Sequence, residues 1–137
     1  MTDPLKPRPR PCASCPYRVD VPSGIWHPDE YAKLVGYDAD TWAQPLNVFM
    51  CHQGDDQVCS GWLGHRDPSD LLAVRLGLAS GRLDAACVDY STTVPLWPSG
   101  AAAARHGCRD VPAPSPEAVQ AIEKITTVRA SRGNPVT

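Results

Sequence analysis

The richest chemistry in this chain lies in its six cysteines, at positions 12, 15, 51, 59, 87 and 108. Cys12 and Cys15 enclose two residues, Ala13 and Ser14. That spacing turns two thiolates toward one point while amides of the turn donate to sulfur, the usual half-site for zinc or iron. Pro11 and Pro16 flank the pair and stiffen it. Cys51 and Cys59 are separated by seven residues that include the turn cluster Gly54-Asp55-Asp56. A hairpin centred on Asp55 sets Cys51 directly opposite Cys59, with Cβ atoms about 4.5–5.5 Å apart. Two such half-sites make a closed tetrahedral site, so Cys12, Cys15, Cys51 and Cys59 are the predicted metal ligands. Zinc is the default for four thiolates in a small protein. An iron–sulfur cluster takes the same four thiolates and is the alternative.

Two other uses of these cysteines stay open. Cys51 and Cys59 could be small buried hydrophobes, and Cys12 with Cys15 could be a redox pair. A redox pair is helped by a helix N-terminus, which stabilises thiolate, and Pro16 to Pro22 reads poorly as helix. His52 adjoins Cys51 on the strand and so points away from a site that Cys51 faces. His65 is a second weak candidate ligand. Cys87 and Cys108 read as ordinary thiols, Cys87 buried and Cys108 in a loop. Tyr17, Trp26 and Trp62 supply rings that could cover a metal centre. Asp55 and Asp56 read as solvated turn acids.

Positioning these residues requires a small set of elements. Pro28-Asp29-Glu30 opens a helix, with proline at its first position, acids at the positive end of the dipole and Gly36 as a stop. Tyr31, Leu34 and Val35 give it an apolar face. Asp67-Pro68-Ser69-Asp70 opens a second, central helix carrying Leu71, Leu72, Val74, Leu76 and Leu78 and ending at Ser80-Gly81. Ser115-Pro116-Glu117 opens a third, with Val119, Ile122, Ile125 and Val128 at helical spacing. A short alanine helix is predicted between Ser99 and Gly107. Leu46 to Gln53 is the best strand, Gln57-Val58-Cys59 its return, and residues 88–98 extended loop. The expected fold is thus α+β: a small, irregular single domain with a β-hairpin, about three helices and long loops, stapled by the four-cysteine site. Residues 1–10 read as an extended, mobile, basic proline-rich arm, 11–131 as the domain and 132–137 as a flexible tail.

Composition explains the need for a staple. Of 137 residues 15 are proline, and the apolar fraction of 42% includes one Phe, four Trp and four Tyr. Such a chain forms few long helices and a modest core, which a metal or disulfides must reinforce. The N-terminal sequence lacks the apolar run of a secretory signal, and no segment is apolar enough to span a membrane. Both features predict a cytoplasmic protein whose thiols stay reduced, hence a metal rather than disulfides. A net charge of −2 argues against coating nucleic acid by bulk charge. The charge is uneven, however: residues 1–20 carry +2 and residues 21–114 carry −5. Lys6, Arg8 and Arg10 could reach phosphates, so nucleic acid is a possible partner beside an unidentified protein. P-loop, GxGxxG, HExxH and GxSxG motifs are absent. Pro11-Cys12-x-x-Cys15 matches half of the zinc deaminase pattern, with nothing upstream to complete it. A binding module is therefore favoured over an enzyme.

Four stretches together resemble a small uncharacterised family frequent in bacteriophages of actinobacteria. They are Pro11-Cys12-x-x-Cys15-Pro16-Tyr17-Arg18, Pro22-Ser23-Gly24-x-Trp26, Cys51-His52-Gln53 and Cys59-x-Gly61-Trp62. The resemblance spans roughly residues 11–110. It implies a phage-encoded protein with a four-cysteine motif, acting in the host cytoplasm. It implies no activity and no particular metal.

Overall fold

Proline and small polar residues punctuate this chain, and most of its helices start at one. The structure, a computed structural model, describes residues 3–51 and 56–131. Helix α1 (Pro28–Tyr37) has proline in its first turn, and His27 Nδ1 accepts the Asp29 amide at 3.1 Å. Its buried face is Tyr31 and Leu34; Val35, expected there too, is half exposed. Helix α2 (Ser60–Gly64) follows Cys59 directly. Helix α3 (Leu72–Ala79), helix α4 (Gly100–Cys108) and helix α5 (Pro116–Ser131) complete the set. Five helices among the described residues stand where about three and a short alanine helix were expected. The alanine segment is a full helix because Ser99 Oγ accepts the Ala102 amide at 3.1 Å, a regular N-cap. Cys108 is its last residue rather than part of a loop.

The predicted central helix is broken. Pro68–Asp70 forms a single 3-10 turn, capped by Asp67 as expected. Leu71 then turns extended (φ −89°, ψ 118°) before α3 begins. A buried side chain from elsewhere permits the break. Gln44 Oε1 accepts the Leu72 amide at 2.9 Å, and its Nε2 donates to the Ala39 carbonyl at 2.9 Å. The freed backbone groups are satisfied, and Leu71 drives fully into the core.

Strand structure is minimal. Strand β1 (Lys6–Pro7) pairs in parallel with β2 (Gln57–Val58), Lys6 opposite Gln57. On the other side of β2, Met50 bridges Val58 in antiparallel sense. The strand expected over Leu46–Gln53 shrinks to this bridge, and the hairpin tip at 52–55 lies outside the described residues. The arm expected to be mobile is tied down instead. The Leu5 amide donates to Arg82 O at 2.8 Å, Asp84 N to Leu5 O at 2.9 Å, and Arg8 N to Val58 O at 3.0 Å. Strand β2 would otherwise present an unpaired edge, and the arm covers it. The expected tail, 132–137, also lies outside the described residues. Trp62, Tyr17, Tyr31, Leu34, Leu63 and Leu71 form the fully buried centre of the core.

Candidate metal centre

Two local structures deliver the first thiols. Cys12 to Cys15 is a tight turn in which the Cys15 amide donates to Cys12 O at 3.0 Å. Trp26 Nε1 pins that turn from outside by donating to Ser14 O at 2.9 Å. The Tyr17 backbone pulls the Cys15 thiol down, a smaller effect than those of its thiol neighbours and of burial. The second pair comes from the strands around β2. The Cys51 amide donates to Gln57 O and the Cys59 amide to Phe49 O, both at 2.9 Å. Cys51 is therefore opposite Gln57, and the expected direct pairing of Cys51 with Cys59 is off by two residues. The two cysteines are diagonal neighbours on one face of the ladder, a longer but still reachable separation.

The thiols approach one another in pairs. Cys15 Sγ lies 3.9 Å from Cys59 Sγ. The Cys12 thiol interacts with both Cys15 and Cys51. The cysteines thus form a connected chain, Cys51–Cys12–Cys15–Cys59, and all are buried. They are joined pairwise: among the described residues, no three His, Cys, Asp or Glu side chains stand grouped as a metal site. For tetrahedral coordination at about 2.3 Å, neighbouring sulfurs are about 3.8 Å apart. The 3.9 Å separation of Cys15 and Cys59 matches one edge of that tetrahedron.

Cys59 also serves as N-cap of α2, its Sγ accepting the Trp62 amide at 3.4 Å. This presses the first turn of α2 onto the Cys12–Cys15 turn. A Cβ on Gly61 would collide with Cys15 Sγ and stand 3.0 Å from Tyr17 Cβ. Glycine at 61 is what lets the two half-sites close. Arg8 Nη1 approaches Cys51 Sγ at 3.6 Å. Amide donors and a guanidinium on the sulfurs favour negative charge there. As protonated thiols, Cys12 and Cys15 resist ionisation. The Cys15 thiol pushes Cys12 up, with burial adding to it against a downward pull from Cys51. Cys12 pulls Cys15 down, but Cys59 and burial together carry it well above the usual thiol range. One anion among close thiols in a dry site is unfavourable; a divalent cation would reverse that balance.

Three rings pack in the same core as the thiols. Tyr17, Trp26 and Trp62 are all buried, and Tyr17 stacks on His65 with centroids 4.5 Å apart. Tyr17 Oη, Ser60 Oγ and Trp62 Nε1 are buried without a hydrogen-bond partner among the described residues. His65 is no thiol partner: its Nδ1 faces Trp62 O at 2.5 Å and its Nε2 faces Asp38 Oδ1 at 2.6 Å. His52 and Asp55 lie outside the described residues, and Asp56 is exposed. Cys87 and Cys108 stand apart from the cluster. Cys87 is fully buried, its thiol pushed up to about 11, chiefly by burial. Cys108 is exposed at the end of α4. Sequence reasoning missed Gly61 and Arg8 as parts of this site. The signal for Gly61 was present in Cys59-Ser60-Gly61-Trp62; the contact of Arg8 depends on docking of the arm.

Residues 7–129 match the family of unknown function DUF6283. The chain belongs to that family. No curated protein and no solved structure matches it. The DUF6283 match covers both cysteine pairs, α1 to α4 and most of α5. Among the described residues of this DUF6283 chain, no helix is long and apolar enough to cross a membrane.

Proposed function

We propose that this protein is a small metal-stapled binding module in which Cys12, Cys15, Cys51 and Cys59 hold one zinc ion. The observation that carries the reading is the 3.9 Å approach of two buried thiols from distant segments, Cys15 and Cys59, each belonging to one of the two cysteine pairs. A single divalent ion would offset half the charge of four thiolates, favour the ionised form of the crowded Cys12 and Cys15 thiols, and join the N-terminal turn to the hairpin. Its role would be structural, since four protein ligands leave no open position for substrate. An iron–sulfur cluster is the runner-up, favoured by the ring-lined, amide-rich setting. In a four-iron cluster each thiolate binds its own iron, spreading the sulfurs by the width of the cluster; the short Cys15–Cys59 edge fits one ion better. The module would present its surface to a protein or a nucleic acid. A phage-encoded protein in a host cytoplasm is part of this reading and rests on the sequence resemblance.

Elemental analysis of freshly purified protein tests it. We expect about one zinc per chain and a colourless solution. Brown protein with broad absorbance near about 400 nm would replace zinc with a cluster, and protein free of both metals would refute the site. Structural zinc supplies an apparent ~10–16 kcal/mol, comparable to the whole stability of a small domain. Cys15→Ser should therefore release the metal and unfold the chain. Cys108→Ser, at an exposed thiol, should keep the metal and shift stability by less than about 0.5 kcal/mol.

A further inference from the structure

The ordered arm creates a second feature beside the thiols: a cavity of about 510 Å³ lined by Arg8, Pro9, Arg10, Pro11, Cys12, Ala13, Arg18 and Gln57. Arginines supply its charge, and no carboxylate residue lines it among the described residues. The guanidiniums are not equivalent. Arg18 is committed, with two bonds to Asp20 at 2.7 and 2.8 Å and a third to Pro11 O at 3.1 Å. It builds the wall. Arg8 directs one nitrogen toward Cys51 Sγ and retains its other donors. No ion pair engages Arg10 among the described residues. Their backbone is fixed: Arg8 N donates to Val58 O at 3.0 Å, and Pro9 O accepts from Tyr90 Oη at 3.2 Å. Two arginines with donors to spare are thus carried at one opening by a backbone fixed at Arg8 and Pro9.

We propose that this cavity binds a phosphate monoester of about nucleotide size. Paired guanidinium forks match the geometry and double charge of a terminal phosphate. The volume lies within the range of ligand sites, about 300–1,000 Å³, and exceeds what a bare phosphate fills. Pro9, Pro11 and Ala13 offer apolar wall to the rest of the molecule. The arm that carries Arg8 and Arg10 is positioned by backbone hydrogen bonds of its own.

Calorimetric titration of the full chain, as purified, tests the assignment with adenosine monophosphate, adenosine, inorganic phosphate and an eight-nucleotide DNA lacking terminal phosphate. We expect binding of the monophosphate, weaker binding of phosphate and none of adenosine. Arg10→Ala should weaken the monophosphate at least tenfold. Arg10→Lys should weaken it less, keeping charge but losing the fork. Arg75→Ala, at a remote site, should leave it unchanged. Adenosine bound as well as its monophosphate, no binding of the monophosphate, or an unaffected Arg10→Ala variant would overturn the proposal. So would DNA bound more than tenfold tighter than the monophosphate, which would make the cavity part of a nucleic-acid track. Arg10 is exposed, so its replacement does not endanger the fold.

Discussion

At the residue scale, the most consequential polar group outside the thiol cluster is Asp38. It ends α1, and its two oxygens join three elements. Oδ1 meets His65 Nε2 at 2.6 Å beyond the end of α2, and Oδ2 accepts the Gly100 amide at 2.7 Å at the start of α4. The His65 side chain is fully buried and that of Asp38 is 15% exposed. Burial alone would raise the Asp38 carboxyl, but the His65 bond, the Gly100 amide and Arg66 together hold it below its ordinary value of 3.8. A carboxyl lowered by folding adds stability that is present above its unfolded pKa and lost as pH falls through its folded one. Urea unfolding measured from pH 7 down to about pH 2.5 should show this loss beginning near pH 4. Asp38→Asn should be less stable at pH 7 by about 2–3 kcal/mol, the cost of charge-assisted bonds at a largely buried site. Its acid limb should be shallower than that of the parent. Parallel pH curves for the two proteins would show that Asp38 is not the sensor.

At the element scale, the pairing of α1 with α4 depends on two glycines. A Cβ at Gly100 would fall on Leu34 O, and one at Gly107 on the Tyr31 ring. Leu34 and Tyr31 are the buried face of α1, so the helices approach almost to backbone contact. Gly107→Ala should cost about 1–3 kcal/mol by overpacking. Gly36→Ala, where nothing lies within 4 Å, should add about 0.5–1 kcal/mol by helix propensity. Thermal melts of the two variants should move in opposite directions; a shift of the same sign in both would refute the close-approach argument. The contrast also shows what local sequence can carry. Starts at Pro28, Ser99 and Pro116 were legible because capping is decided within a few residues. The break at Leu71 was not, because Gln44 supplies its hydrogen bond from 28 residues away. Helix α2 was hidden because five residues are too few for periodicity and its cap is a cysteine. The two thiol pairs were readable from spacing alone. The register that joins them was not, since the ladder on β2 and not the turn fixes it.

At the scale of the whole molecule, the N-terminal arm decides how the parts are held together. Its residues touch both β2 and the segment after α3. Leu5 packs against the core and bridges Leu83, while Lys6 and Pro7 pair with Gln57 and Val58. Because β2 runs into Cys59 and accepts the Cys51 amide at Gln57 O, the arm braces the strand that positions the second cysteine pair. Removing residues 1–10 should therefore destabilise the domain by about 2–4 kcal/mol, from one lost apolar side chain and a few backbone hydrogen bonds. It should weaken retention of the proposed zinc against a chelator as well. Leu5→Ala isolates the packing part and should account for roughly half of that loss. Amide exchange provides the direct check: the Leu5 and Arg8 amides should be protected to the same degree as those of β2, because they open only when the strand does. Exchange at the rate of free peptide, together with an unaltered melt after truncation, would mean that the arm rests on the domain without supporting it. Protection at Leu5 and Arg8 that fades in step with metal removal would show the opposite: one cooperative unit running from the first strand through the cysteines to the core.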